Sequence, residues 1–330
     1  MCVLLDPFAL VSMGSDSAQK AAASGQPPSI LNLWIGTYRK CPKLYIPGTH
    51  LNLAYILGST TVLLLARQLS DWIFVNVFRW PAAAKMTMES AACAVSGMQA
   101  ALFVPSLGAC LFTTKPSYRP SGKMTDSPAW WQDAAKALIH FCTGYMLYDS
   151  IMLCVDTWDA AAGKPNLSSG DLMFIGHHFA TTFYMTTALL QGAGHQSAMI
   201  LMFLGETTSP LMNTHAVLKF AVKIHPESTL IYNALVYSEY IYAVVYLPMR
   251  VVLGPLAAAH LTYDLLLTKE GRQNCSVFIT LLWMPMCWGV LFGSIPWIEE
   301  AWEMVQDGLT LKYGPDYDYG EQYIHHHTDL

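Results

Sequence analysis

Long apolar stretches separated by short polar ones dominate this sequence. The chain is 53% hydrophobic and only 12% charged, and most charges lie between the apolar runs. A helix needs about 20 mostly apolar residues to cross a bilayer, where every backbone group must be paired within the segment. We therefore expect an all-α fold, a polytopic membrane helical bundle of about seven transmembrane helices. The stretches that approach or reach this length are residues 51–66, 91–113, 134–155, 172–190, 198–220, 230–253 and 277–298.

The predicted bundle occupies residues 49–298 and leaves a polar region at each end. Residues 1–48 are expected to be flexible, because 15–29 have the Ser, Ala, Gly and Pro composition of a linker. Residues 299–330 form a predicted acidic tail. Before the last apolar stretch, residues 255–267 are apolar enough to form a separate re-entrant or interfacial piece.

Charge and cysteine placement exclude several classes of partner and cofactor. The net charge of -5, with scattered Lys and Arg, provides no basic surface for nucleic acid. The eight cysteines have no zinc-type spacing, so we expect neither a metal nor a cofactor. A small excess of Lys and Arg on the N-terminal side of the predicted spans favours a cytosolic N-terminus. The acidic tail is then expected on the opposite face of the membrane.

Two adjacent histidines, His177 and His178, lie within the fourth apolar stretch. An ionisable side chain at bilayer depth costs free energy, so it is a candidate functional residue. Asp149 lies in the preceding stretch and Glu206 in the following one. Three neighbouring helices are thus predicted to bring ionisable groups to one buried pocket. A structural histidine pair bonded to one of these acids is the alternative.

Helical spacing adds three further polar residues to the predicted pocket. Positions seven apart return to nearly the same helical face, and positions four apart lie one turn apart. Asn213 therefore shares a face with Glu206, and Thr182 lies one turn beyond His178. Glu239 belongs to a stripe that ends near Arg250, and a structural Glu239–Arg250 pair is the alternative there.

The residue types suit proton transfer, but they do not name a reaction. A neutral imidazole acts as a general base or nucleophile, and a neighbouring carboxylate fixes its tautomer. A proton relay or a lipid-headgroup site uses the same groups. Di-iron desaturases are excluded because they need several histidine boxes. A retinal protein is excluded because residues 277–298 contain no lysine, and no HExxH protease motif is present.

Three ordered motifs resemble those of TLC-domain proteins, the TRAM, Lag and CLN group. They are Gly-Tyr-Met-Leu-Tyr-Asp at 144–149, Asp-Leu-Met-Phe-Ile-Gly-His-His at 171–178, and Gly-Glu-Thr-Thr-Ser-Pro at 205–210, followed by Asn213. The resemblance implies membrane helices around a lipid-accessible cavity that the histidine pair faces. Ceramide synthases of this family are acyl-CoA-dependent N-acyltransferases, and their histidine pair matches His177 and His178.

One departure from the ceramide synthases affects the expected function. Those enzymes carry a further His-Asp motif after the histidine pair, whereas residues 205–213 here contain Glu206 as their only acid. The chain therefore looks nearer to the non-synthase TLC-domain proteins, which are associated with membrane lipid composition, sensing or transport.

We accordingly expect an integral membrane protein of the endoplasmic reticulum or another endomembrane, acting in lipid homeostasis. Its expected ligand is a ceramide-like lipid or a phospholipid. The alternatives are an acyl-CoA-dependent lipid N-acyltransferase and a structural subunit of a membrane complex. The residues expected to carry chemistry are His177, His178 and Asp149, and those expected to bind lipid are Glu206, Asn213, Glu239 and Thr182.

Overall fold

The computed structural model describes residues 26–82, 85–113 and 119–309, with side chains described up to residue 306. The linker at 15–29 and the acidic tail therefore lie largely outside the described residues. A two-stranded antiparallel hairpin, β1 (Trp158–Asp159) and β2 (Lys164–Pro165), accompanies the helices. The helices are α1 Asn32–Lys40, α2 Leu53–Asn76, α3 Lys85–Phe112, α4 Ala129–Asp156, α5 Ser169–Gln191, α6 His195–Glu206, α7 Ser209–Ile224, α8 Thr229–Leu247, α9 Gly254–Thr262, α10 Lys269–Asn274, α11 Val277–Gly293 and α12 Ile295–Leu309.

The helical membrane bundle is confirmed, whereas the count of seven crossings is not. Within the described residues, five helices are long and apolar enough to cross a membrane. The helix α5 is not among them, although it is 23 residues long. Its two histidines and four threonines make it more polar than the other predicted spans. The five are Leu53–Asn76, Lys85–Phe112, Ala129–Asp156, Thr229–Leu267 and Val277–Gln306.

The prediction of one helix over residues 198–220 is wrong, because the chain breaks between α6 and α7. Pro210 has no N–H to donate to the carbonyl of Glu206, so the α-helical bonding cannot continue through this point. The two short helices still run along α3, from the Phe112–Phe203 ring contact of 5.9 Å to Gly97 beside Asn213. Together α6 and α7 therefore follow the course of one long segment that bends between them.

The prediction of a separate piece at 255–267 is also wrong. Residues Thr229–Leu267 form one helix of 39 residues, interrupted by π-helical turns at Pro248–Leu253 and Tyr263–Leu267. Pro248 and Pro255 each lack an amide donor, and π-helical turns accommodate such local changes of hydrogen bonding. At 1.5 Å per residue the helix is about 58 Å long, well beyond the hydrocarbon thickness of about 30 Å.

The helix α2 runs to Asn76, past the predicted end at residue 66. Arg67, the first charged residue after that predicted end, is 2% exposed. Its Nε atom lies 3.2 Å from Asp71 and its Nη2 atom 3.2 Å from Asp156 on α4. Because two carboxylates neutralise the guanidinium, the charge lies inside the bundle without ending the helix.

The helix α1 lies within residues 1–48, where the sequence predicts a flexible region. Leu31, Trp34, Ile35 and Tyr38 are buried there, and the Trp34 indole donates to Ser106 Oγ at 2.8 Å. The bounds of the predicted domain stay a prediction, but residues 29–40 pack against α3 and α4.

Connections rich in Lys and Arg meet at one end of the bundle. The amide of Met124, between α3 and α4, donates to the carbonyl of Gly192, between α5 and α6, at 2.8 Å. The amide of Ser121 donates to Asp264 at 2.9 Å. Arg39 in the last turn of α1 pairs with Asp133 of α4 at 2.7 Å. The predicted orientation requires this grouping, and the side of the membrane stays a prediction.

Two of the hydrophobic clusters of the bundle border the polar residues, and Tyr145 belongs both to the larger cluster and to the polar group. The larger one joins α1 to α6 with α11, and includes Tyr145, Met146 and Tyr184. The smaller one joins α8 to α12, and includes Tyr242 and Tyr246. We call these polar residues the polar seam, namely Ser96, Tyr145, Asp149, Ser150, His177, His178, Glu206, Asn213 and Arg250.

Candidate functional site

The structure brings the predicted acid and one predicted histidine into direct contact. His178 Nε2 on α5 lies 3.3 Å from Asp149 Oδ2 on α4. The imidazole is 5% exposed, whereas the Asp149 side chain is about one quarter exposed. In this pair the His178 imidazole is therefore buried, whereas the Asp149 carboxyl is accessible to a ligand.

Ser150 contacts the other ring nitrogen and determines which atom carries the hydrogen. Its hydroxyl lies 2.7 Å from the carbonyl of Met146 and 3.2 Å from His178 Nδ1. The hydroxyl has one hydrogen, and the carbonyl at the shorter distance can only accept it. Ser150 therefore accepts from Nδ1–H, which places a hydrogen on Nδ1. Nε2 then faces the Asp149 carboxyl at 3.3 Å, a distance that allows an ion pair when one of the two groups is protonated.

The Ser150, His178 and Asp149 side chains do not form a serine-nucleophile triad. In such a triad the imidazole takes the hydroxyl proton, and the acid holds the opposite nitrogen. Here the Ser150 proton is directed to a backbone carbonyl, so the hydroxyl is not activated. The site instead places an imidazole and a carboxyl 3.3 Å apart, a distance over which a proton can be exchanged.

His177 lies beside His178, with ring centroids 5.7 Å apart, and is half-buried. Thr182 follows one turn after His178 and is also half-buried, and its carbonyl accepts the Thr186 hydroxyl at 2.7 Å. Their predicted roles, nucleophile or base for His177 and lipid contact for Thr182, stay predictions.

Asn213 is linked to α3 and α4 by a chain of hydrogen bonds. Its Nδ2 atom donates to Ser96 Oγ at 3.1 Å and to the carbonyl of Ser209 at 2.8 Å. Ser96 Oγ lies 2.7 Å from the Tyr145 hydroxyl. Tyr145 lies one turn before Asp149, so Asn213 is connected to the same side of the site as the histidine pair.

Glu206 is the last residue of α6, at the break before α7. The hydroxyl of Ser209 lies beside its carboxyl, and Asp149 and Tyr145 are within electrostatic range. The same break exposes the carbonyl of Gly205, which accepts from Arg250 Nη2 at 3.1 Å. The bend at Pro210 therefore turns the end of α6 toward the polar seam.

Glu239 lies on the buried face of α8 and is 4% exposed. It shares that face with Tyr242 and Tyr246, as the predicted stripe requires. Ser238, beside it, lies 3.3 Å from His215 Nδ1 on α7. Glu239 thus lies on the face of α8 that packs within the bundle, and Ser238 next to it contacts α7.

Four residues of the polar seam were not predicted as site residues, namely Ser96, Tyr145, Ser150 and Arg250. Ser150 and Ser96 gave no sequence signal, because a single serine in a membrane helix usually bonds only its own backbone. Arg250 had a signal, since it falls near the end of the polar stripe that contains Glu239. Within the described residues, no three His, Cys, Asp or Glu side chains group as a metal site.

The comparison with protein families decides the class of the bundle. The family model of the TLC domain, the TRAM, LAG1 and CLN8 group, matches residues 52–303. This chain belongs to the TLC-domain family. Neither curated proteins nor solved structures gave a significant match. Family membership places the chain among membrane proteins of lipid metabolism or lipid sensing.

Within the TLC domain, the three motifs form the three sides of the site. Residues 144–149 supply Tyr145 and Asp149, residues 171–178 supply the histidines, and residues 205–210 supply the bend with Glu206. Gly144, at the start of the first motif, has a structural role in the packing of α2 against α4. A Cβ atom there would lie 2.7 Å from the carbonyl oxygen of Ile56, so only glycine permits the close approach of α2 and α4.

Proposed function

We propose that this TLC-domain protein binds a membrane lipid at the polar seam and acts in lipid homeostasis in an endomembrane such as the endoplasmic reticulum. The lipid class is a ceramide-like lipid or a phospholipid. The observation that carries the proposal is the His178–Asp149 contact at 3.3 Å, which is buried on the imidazole side and accessible on the carboxyl side.

The position of the pair suits a lipid headgroup. Asp149 lies two turns before the end of α4 at Asp156, about 10 Å along the helix axis. A lipid whose headgroup enters between α4 and α5 would reach the pair while its acyl chains stay among apolar side chains. Groups with both donors and acceptors, such as hydroxyl, amide and amine, match a carboxyl next to an imidazole.

Acyl-CoA-dependent N-acyl transfer is the alternative activity, and it would require a different chemical state of the histidines. An acyl-accepting imidazole needs a nitrogen with a free lone pair. In His178 one nitrogen carries a hydrogen bonded to Ser150 and the other faces Asp149. His177 is then the better nucleophile of the two, with the His178–Asp149 pair as the proton acceptor. The subgroup nearer to the non-synthase TLC-domain proteins is the one we propose, because Glu206 is the only acid in residues 205–213.

A lipidomic comparison tests the proposed function. Membranes of cells that express the wild-type chain, the His178→Ala variant or no protein are extracted and compared. The proposal expects a change in one lipid class that wild type produces and His178→Ala does not, at equal expression. Identical lipid profiles in all three membranes would contradict it.

A turnover assay separates the binder from the enzyme. Purified protein is incubated with acyl-CoA and a sphingoid base or lysophospholipid. A binder forms no acylated product even as wild type. Product formation that His177→Ala and His178→Ala abolish would replace the binding proposal with the acyltransferase.

A further inference from the structure

Arg250 is the basic side chain of the polar seam, and the proposed function does not use it. It lies in the π-helical turn Pro248–Leu253, where the long helix Thr229–Leu267 changes its hydrogen bonding. Turns of this kind are frequent at functional sites, because they redirect a side chain that a regular helix would place elsewhere.

Two contacts fix the guanidinium, and its Nε donor takes part in neither. Nη2 donates to the carbonyl of Gly205 at 3.1 Å, and Cζ lies 5.5 Å from the centre of the Tyr246 ring. The Nε atom is buried and has no hydrogen-bond partner. A buried donor without a partner costs free energy, so an acceptor from outside the protein would stabilise this arrangement.

The charges around Arg250 are incompletely balanced. None of the ion pairs within 4.0 Å that the structure describes includes it. The Glu206 carboxyl lies within electrostatic range of the guanidinium. The guanidinium is also close enough to His177 to disfavour a positive charge on that imidazole. The neighbourhood therefore favours an anionic group at Arg250 and a donor group at the carboxyls.

We propose that Arg250 binds the phosphate of a phospholipid headgroup at the polar seam. The inference rests on the proposed function, and it narrows the ligand from lipids in general to those with a phosphodiester. The planar fork of a guanidinium matches two oxygens of one phosphate, and Nε is one arm of that fork. In a bilayer the phosphodiester is the abundant anion that presents this geometry. Ceramide has no phosphate and would offer Nε only neutral hydroxyl and amide oxygens.

A matched pair of lipids tests the proposal on the wild-type chain. The full-length protein in detergent is equilibrated with phosphatidylcholine or with diacylglycerol of the same acyl chains, and the lipid retained after gel filtration is measured. A hydrogen bond to a charged group contributes about 1.5–3 kcal/mol, so retention should favour the phospholipid by about tenfold or more. Equal retention of the two lipids would overturn the proposal.

Substitutions locate the effect at Arg250. Arg250→Gln should lose the preference for phosphatidylcholine, and Arg250→Lys should keep part of it, because a lysine retains the charge and loses the fork. Arg272→Gln is the matched control, since Arg272 Nη1 also donates to backbone carbonyls, those of Leu266 and Leu267, at the basic end. An unchanged preference in folded Arg250→Gln would overturn the proposal. If Arg250→Gln does not fold, the comparison of the two lipids on wild type still decides it.

Two further outcomes are distinguishable. Wild type that retains ceramide tightly and phosphatidylcholine weakly would end the phosphate assignment and leave the proposed lipid site standing. Wild type that retains no lipid of any class would end both. Acyl-CoA also carries phosphates, so a competition arm is included. Binding of acyl-CoA alone, without any phospholipid, would overturn the phospholipid as the source of the phosphate.

Discussion

Ser150 Oγ lies 3.2 Å from His178 Nδ1 and gives its own hydrogen to the carbonyl of Met146. This single contact sets the state of the site, because it leaves Nε2 as the nitrogen that faces Asp149. The orientation of the imidazole therefore depends on a hydroxyl in the neighbouring helix, and its other nitrogen faces the Asp149 carboxyl.

Removing the Ser150 hydroxyl should destabilise the protein. In Ser150→Ala the buried Nδ1–H of His178 loses its acceptor, which costs about 1–3 kcal/mol. Thermal unfolding of the full-length chain in detergent measures this. Thr143→Val on the same helix is the control, because Thr143 donates to the carbonyl of Ile139 four residues earlier. Equal losses in both variants would mean that the imidazole contact contributes nothing.

A side chain at Gly144 should separate α2 from α4. The added Cβ atom of Gly144→Ala would lie 2.7 Å from the oxygen of Ile56 and 2.8 Å from Ser59 Cβ. Overpacking of this kind costs about 1–3 kcal/mol. Gly58→Ala is the matched control, because a Cβ atom there meets nothing within 4 Å. Unfolding temperatures should fall for Gly144→Ala and stay equal or rise for Gly58→Ala; the reverse order would contradict the packing.

The ion pairs of the buried Arg67 should contribute more to the stability of the protein than the exposed pair of Arg39. Arg67→Leu removes the partner of two partly exposed carboxylates, 40% and 25% exposed, so the loss should be smaller than for a fully buried pair, at about 1–3 kcal/mol. The further changes Asp71→Asn and Asp156→Asn should recover much of the loss. Arg39 is 57% exposed in its pair with Asp133, so Arg39→Leu should cost at most about 1 kcal/mol. The same denaturation assay compares them, and similar losses for both arginines would refute the burial of Arg67.

Cysteine labelling tests the packing of the basic end. Burial, with the Asp264 charge as a smaller cause, raises the pKa of the Cys275 thiol to about 12. The thiolate reacts and the thiol does not, so Cys275 should stay unlabelled by a maleimide between pH 7 and 9. Cys41 is half-buried, and its pKa is also raised by burial. It should label faster than Cys275, and its rate should rise with pH. Comparison with the Cys275→Ser variant assigns the product, and labelling of Cys275 as fast as Cys41 would contradict the buried position.

The sequence predicts the helical class and the meeting of Asp149 with a histidine, because apolar length and helical period are local properties. It does not predict the break at Pro210 or the π-helical turn before Gly254. Both depend on where the freed backbone carbonyls find new donors, such as Arg250 for Gly205. The end of α2 was misplaced for a similar reason, since the partner that neutralises Arg67 lies 89 residues away at Asp156.

The choice of site residues shows the same limit. Asp149, His177, His178 and Glu206 are visible because ionisable residues are rare in apolar stretches. Ser150 is ordinary in sequence, and it acquires a role only because α4 and α5 pack side by side. Glu239 looked equivalent to the others, and the structure buries it on α8 beside Tyr242 and Tyr246.

The most direct test of the lipid site is native mass spectrometry of the full-length protein released from detergent. The wild-type chain should carry one tightly held lipid, and Asp149→Asn and His178→Ala should each lower that occupancy about tenfold, since each removes one charged or buried hydrogen-bonding partner. Asp126→Asn and His225→Ala, which lie in connections between helices, should keep wild-type occupancy. Equal lipid occupancy in wild type, Asp149→Asn and His178→Ala would contradict the proposal that the His178–Asp149 pair holds the lipid.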